Sequence, residues 1–192
     1  MSCPTAFPSL RIICLATALA FVALARGHAT ASVPAAPPPP QPSPVETDPA
    51  YHKLDFWLGD WEVFDAATKV RDGHNRIERV LKGAAIVENW SDANGSEGKS
   101  WFYYYRPEKR WKQIWVTDGG MVKEKALVDE FPDGGVRFRG EIPRRDGTKI
   151  TDQTTLTPLP EGRVRQVIEW SKDGGQTWET VYDAIYIHPT KS

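Results

Sequence analysis

The segment WFYYYRPEKRWKQIWV, from Trp101 to Val116, carries seven aromatic side chains in sixteen residues. Aromatic bodies with polar tips suit non-covalent capture of an apolar or amphipathic small molecule, since ligand sites are mostly apolar with a few placed polar groups. On an extended chain, side chains alternate between faces. Trp101, Tyr103 and Tyr105 then share one face, Phe102 and Tyr104 the other, and Trp111, Gln113 and Trp115 line up on the next segment. The expected ligand-contacting set is Trp61, Tyr103, Tyr105, Gln113, Trp115, Arg165, Tyr182 and Tyr186.

Other chemistries find less support. His52, His74 and His188 have no second histidine or cysteine at metal-ligand spacing, so no metal site is assigned. There is no Gly-x-Ser-x-Gly elbow and no Walker-type loop, and the Asp-Gly-Gly triplets are not followed by a helix that would bind phosphate. Glu78, Glu88 and Glu169 fall in β-rich runs and are expected to face water, paired with Arg76, Arg79 or Arg165. If any of these acids, or a tyrosine, lined a cavity beside a basic group, an isomerase- or hydrolase-type enzyme would be the alternative. Ser171-Lys172-Asp173-Gly174-Gly175-Gln176-Thr177-Trp178 fits the Ser-x-Asp-x-Gly-x-Thr-Trp pattern repeated in sialidases. A single copy without a propeller repeat reads as a structural hairpin, its aspartate bonding the loop backbone. No catalytic residue and no cofactor is assigned.

The elements that would position these residues are mostly strands. Asp48 and Pro49 look like a helix start, as N-cap and first helical residue. Tyr51, Leu54, Trp57 and Leu58 follow on one face, and Gly59 provides the stop. β-rich runs then occupy Trp61–Phe64, His74–Leu81, Ala85–Ser91, Ser100–Tyr105, Arg110–Thr117, Val122–Asp129, Val136–Glu141, Lys149–Thr157, Arg163–Ser171 and Thr177–His188. Between them stand turn residues such as Asp118-Gly119-Gly120, Asp146-Gly147 and Asp173-Gly174-Gly175. About ten strands joined by hairpins predict an all-β fold, a single antiparallel up-and-down β-barrel, because closure removes both free edges. The short helix would cap one end, with Trp57 on the helix and Trp61 in the barrel floor.

The N-terminal segment reads as a signal peptide over 1–31. The apolar run from Ile12 to Ala25 follows Arg11, and cleavage is expected after Ala31 or Ala25. Both cysteines, Cys3 and Cys14, would leave with it. Residues 32–47 read as a proline-rich disordered spacer. Its VPAAPPPPQPSPV core would reach roughly 35–40 Å at ~3.1 Å per residue. The folded domain is placed at 48–190. The chain has 24 Lys and Arg against 25 Asp and Glu, and Arg11 and Arg26 lie in the leader, so the remainder carries 22 and a net charge of −3. With no basic stripe, nucleic acid is not an expected partner. The expectations are a periplasmic or secreted protein with no stable membrane span after cleavage and a small-molecule partner.

Gly59-Asp60-Trp61 resembles the Gly-x-Trp signature that opens the first strand of lipocalin-like (calycin) barrels. With FWLGDWEV, IVENW, GKSWFYYYRPEKRWKQIWV and TLTPLPEGRVRQVIEWSKDGGQTWETVYDAIY, the 48–188 region resembles a family of exported bacterial proteins with a calycin domain. The resemblance implies a fold and no reaction. It also implies an arginine near the last strand stacking on the first-strand tryptophan. Here TWETVYDAIYIH has none, so Arg163 or Arg165 takes that role or the closing contact is built differently. Nitrobindin-like cousins of the fold bind haem through a C-terminal histidine, which makes His188 a further alternative. Their alternating first-strand glycines are replaced by Glu62-Val63-Phe64-Asp65, and His188 reads as a solvated terminal residue.

Overall fold

Residues punctuated by glycine and aspartate turns form ten consecutive strands in the computed structural model, which describes residues 43–144 and 146–190. The expected signal peptide at 1–31 and residues 32–42 of the expected spacer lie outside these. The strands are β1 (Gly59–Asp65), β2 (Arg71–Val80), β3 (Ala85–Asp92), β4 (Glu97–Tyr105) and β5 (Arg110–Thr117). They continue as β6 (Val122–Glu130), β7 (Val136–Pro143), β8 (Lys149–Leu159), β9 (Arg163–Ser171) and β10 (Glu179–Ile187). Every ladder is antiparallel and joins neighbours in sequence, and β1 pairs with β10 to close the barrel. That closing ladder registers four residues, Glu62–Asp65 against Ala184–Ile187, where β2 and β3 register eight. Among the described residues no helix is long and apolar enough to cross a membrane.

The N-terminal cap differs from the single short helix expected. Pro44–Thr47, assigned to the spacer, forms one α-helical turn, α1. Pro49–His52 and Asp55–Trp57 are two separate 3₁₀ turns. Asp48 caps the first, its carboxylate accepting from Ala50 N–H at 2.9 Å. Tyr51, Leu54 and Trp57 are spaced by three, the period at which side chains eclipse in a 3₁₀ helix. All three are buried. Gly59, at φ 131°, then turns the chain into β1.

These turns plug one end of the barrel. Trp111 N–H donates to Ala50 O (2.7 Å), Arg106 to the Tyr51 hydroxyl (2.7 Å), and Arg79 to the carbonyls of Tyr51 (3.1 Å) and Gly83 (3.2 Å). Above the plug the lower barrel is solid, filled by Leu54, Trp57, Trp61, Phe102, Phe138 and Leu156 among others. Burying an indole removes about 150–250 Å² from water, worth roughly 4–6 kcal/mol at ~25 cal/mol/Å². The closing contact on Trp61 is made by a histidine. His188 is exposed, as expected of a solvated terminal residue, and one face of its ring stacks on Trp61 with centroids 3.9 Å apart and planes 22° apart. Its Nδ1–H donates to Asp60 O at 3.1 Å. Arg163 and Arg165 play no part in it.

Candidate functional site

Above the solid half, the lumen is divided by a hydrogen-bonded polar girdle. Asn75 on β2 donates to Glu88 Oε1 on β3 (2.8 Å), and Ser100 on β4 donates to Glu88 Oε2 (2.6 Å). Gln113 on β5 meets Ser100 Oγ at 3.0 Å. On the other side Asn75 reaches the Tyr186 hydroxyl (3.4 Å), which donates to Gln166 Oε1 (2.5 Å). Each of these side chains is buried. Alternation explains why they share one level: on β3 and β4 the interior positions pass from apolar near the plug to polar midway, Ile86 then Glu88 and Phe102 then Ser100.

Between girdle and mouth lies a cavity of about 360 Å³, within the range of small-molecule sites. Trp90, Trp115, Trp170, Ile168, Val181 and Met121 form its apolar walls, and Glu88, Gln113, Lys125, Thr154, Gln166 and Tyr186 contribute polar groups. Two glycines keep it open. A Cβ at Gly98 on β4 would come within 2.3 Å of the Trp115 indole. One at Gly73 on β2 would come within 2.8 Å of the Trp90 ring. Both indoles therefore lie back over glycine backbone instead of filling the lumen.

One wall is charged. Lys123 and Lys125 on β6 reach past β7 to Asp152 on β8. Gly140 leaves β7 without a side chain there, and a Cβ on it would strike Glu124 O. Lys123 Nζ lies 2.9 Å from Asp152 Oδ2, and Lys125 pairs with the other carboxylate oxygen and donates to Thr154 Oγ1 (2.6 Å). The Trp170 indole N–H also donates to Asp152, at 3.0 Å. Burial alone would raise the Asp152 pKa, but the two ammonium groups outweigh it and hold the carboxyl below its ordinary value. Lys125 is pushed down to about 8, mainly by burial, with Asp152 resisting.

Glu88 responds oppositely. Burial pushes its pKa up, only partly countered by Ser100, Asn75 and Lys125. The girdle also leaves one polar atom unmatched. With Gln113 Nε2 donating to Ser100, the Gln113 amide oxygen is buried without a donor. With the amide turned over, Ser100 donates to the amide oxygen and the Gln113 NH₂ is the group left without a partner among the described residues. A raised folded-state pKa means the native protein holds a proton that the unfolded chain releases. Stability therefore falls as pH rises above 4.5 towards the folded value. Glu88→Gln, which cannot ionise, is expected to gain stability relative to wild type as pH rises above 4.5. Melting temperatures of the two proteins that keep a constant difference across pH would contradict a raised Glu88 pKa.

Of the residues expected to contact a ligand, Gln113, Trp115, Tyr182 and Tyr186 line the cavity. Trp61 lies below it, packed against Tyr186 in the solid half. Tyr103, Tyr105 and Arg165 are on the outer wall. Gly98, Ser100, Phe102 and Tyr104 take the inner face of β4, so Tyr103 and Tyr105 point out, and Lys112 Nζ sits 4.3 Å from the Tyr105 ring centroid. Arg165 forms a two-point pair with Asp183, at 2.8 and 2.6 Å. Glu78 does face out, 2.9 Å from Arg76, and Glu169 accepts from Gln153 at 2.7 Å, but Glu88 is interior, contrary to expectation.

Trp90, Trp170, Lys123, Lys125 and Asp152 were not expected in the site. The readable signal for the first was that Trp90 and Glu88 share a face with Ile86; the lysines had no local signal, since their partner lies two strands away. The Ser171–Trp178 motif is a tight hairpin at the mouth. Asp173 accepts from Gln176 N–H (3.0 Å), Thr177 N–H (2.9 Å) and the Thr177 hydroxyl (2.6 Å), which hold its pKa far below the usual range. Among the described residues no group of three or more His, Cys, Asp or Glu could hold a metal ion. Comparison with models of known protein families and with curated proteins returns no match for this chain.

Proposed function

We propose that this protein is an exported carrier of the calycin type, which holds a small apolar or amphipathic molecule in the open half of its barrel. The observation that carries this reading is the cavity itself: three tryptophans stand around about 360 Å³ of space, and glycines at 73 and 98 keep two of them against the wall. A domain selected for packing alone would fill such a volume, because interiors are close-packed. Export rests on the leader at 1–31, and the calycin assignment on Gly59-Asp60-Trp61 and the plugged, up-and-down barrel. His188 on Trp61 would then stand where lipocalins use an arginine.

The neutral fluorophore N-phenyl-1-naphthylamine tests the carrier reading. Saturable one-to-one binding that quenches the cavity tryptophans is expected. Gly98→Val, which drives the Trp115 indole into the lumen, should weaken it at least tenfold. Failure of the wild-type protein to bind would remove the carrier.

A second reading is favoured by Glu88, an interior carboxyl with a raised pKa that shares the cavity with Lys125. Such a group suits general acid chemistry. Turnover of a bound ligand that Glu88→Gln abolishes, without loss of binding, would mark an enzyme. Haem ligation through His188 is not retained: its ring lies against Trp61 at the plugged end, away from the cavity.

A further inference from the structure

The charged wall narrows the ligand class, on the premise that the cavity is a ligand site. We propose that the cavity selects molecules with an aromatic or other apolar body and a single carboxylate, the carboxylate seated on Lys123 and the body among Trp90, Trp115 and Trp170.

The first ground is charge. Two ammonium groups line the hollow, and among the described residues Asp152 is the one carboxylate that pairs with them. Glu88, in the floor, is committed to Asn75 and Ser100. Two ammonium groups thus share a single carboxylate, and one further anionic group would give each its own partner. A doubly charged head would leave an excess of the opposite sign in a partly desolvated site.

The second ground is unused hydrogen-bonding capacity. An ammonium has three donors. Lys125 directs its donors at Asp152 and Thr154. Lys123 has Asp152 as its sole protein acceptor among the described residues and lies 5.7 Å from the Trp170 ring centroid. Its side chain is 12% exposed, so its spare donors have little solvent to use. The third ground is Gln113, whose buried amide oxygen lacks a donor in one orientation. In the other orientation its NH₂ lacks an acceptor among the described residues, and Gln113 lines the cavity. Gln113 neighbours Lys125 across the β5–β6 ladder, and Trp115 neighbours Lys123. Donors and apolar surface thus lie side by side, as an amphipathic anion requires.

The geometry of Lys123 is the testable part. Affinities of the purified protein for 1-naphthaleneacetate and 1-naphthaleneacetamide, measured by calorimetry at pH 7 and low salt, compare one body with and without the charge. The carboxylate is expected to bind at least tenfold more tightly. Lys123→Met should bring the ratio close to one while leaving the amide within about twofold, and Lys123→Arg should retain the preference. A melting curve for each variant separates a lost contact from a lost fold. Equal binding of both compounds by wild type overturns the head-group assignment and leaves the carrier standing. So does retention of the full preference in a folded Lys123→Met protein. If neither compound binds while N-phenyl-1-naphthylamine does, the carboxylate class is wrong; if none of the three binds, both proposals fall.

Discussion

Trp61→Ala is expected to remove about 3–5 kcal/mol of folding stability, the range for deleting a fully buried aromatic. Against a typical total of about 5–15 kcal/mol, that is roughly a fifth of the protein's stability or more. The loss has four sources. The indole is fully buried, packs edge-on to Tyr186 with centroids 6.1 Å apart, and carries the His188 ring on its other side. Its N–H also donates to Trp57 O at 3.0 Å, tying the first strand to the plug. His188→Ala keeps the indole and loses only the stack, so about 0.5–1.5 kcal/mol is expected. Trp101, 48% exposed on the outer wall, is the control, with an expected change within about 0.5 kcal/mol. Urea unfolding would rank the three. A Trp61→Ala protein no weaker than Trp101→Ala would mean that the plugged end contributes little to stability.

Asp152→Ala should cost a comparable amount, about 3–5 kcal/mol, for an electrostatic reason. Asp152 is fully buried and holds both lysines and the Trp170 N–H. Without it Lys125, whose side chain is 3% exposed, keeps only Thr154. Lys123, 12% exposed, is the less buried of the two. A buried pair is weak evidence for stability, whereas a buried widow is strongly destabilising. The double variant Asp152→Leu with Lys125→Met should therefore recover most of the loss, since it removes both charges and retains volume. If single and double variants are equally damaged, packing and not charge governs this wall. The pH dependence gives a second check. The folded-state pKa of Asp152 is below its ordinary 3.8, so its contribution is fully present above that value and is lost as pH falls through the folded pKa. The gap between wild type and Asp152→Ala should close in acid.

The strands were legible because each is bounded by residues with a mechanical reason to turn, such as Asp118-Gly119-Gly120 and Asp173-Gly174-Gly175. The number of strands, their order and the closure all followed from that punctuation. Which side faces inward was legible only in part. In β4 both faces are aromatic, so hydrophobic alternation could not choose between Tyr103 and Tyr104. The deciding residues were the small ones: Gly98 and Ser100 share a face with Phe102, and the Trp115 indole lies over Gly98, so that face is the crowded one. Glu88 was misplaced because a carboxylate between Ile86 and Trp90 looks costly. Its cost is met by Asn75 and Ser100, which come from neighbouring strands. The Lys123–Lys125–Asp152 cluster was hidden more deeply. It depends on Gly140, a residue of a third strand, leaving a gap for the lysines to cross. The cap was read as a helix although the spacing of Tyr51, Leu54 and Trp57 is three, which belongs to tighter turns.

The four-residue ladder between β1 and β10 has a consequence for how this protein fails. Every other joint in the cylinder is a hairpin, held by its own short connection when the rest loosens. Only this one depends on the two extremes of the domain meeting. If it parts, the ring becomes a ten-strand ribbon with two bare margins, and each offers unpaired N–H and C=O groups to another molecule. The Trp61–His188 stack sits beside that joint like a clasp, so damage there trades a closed barrel for chains open to polymerising margin to margin.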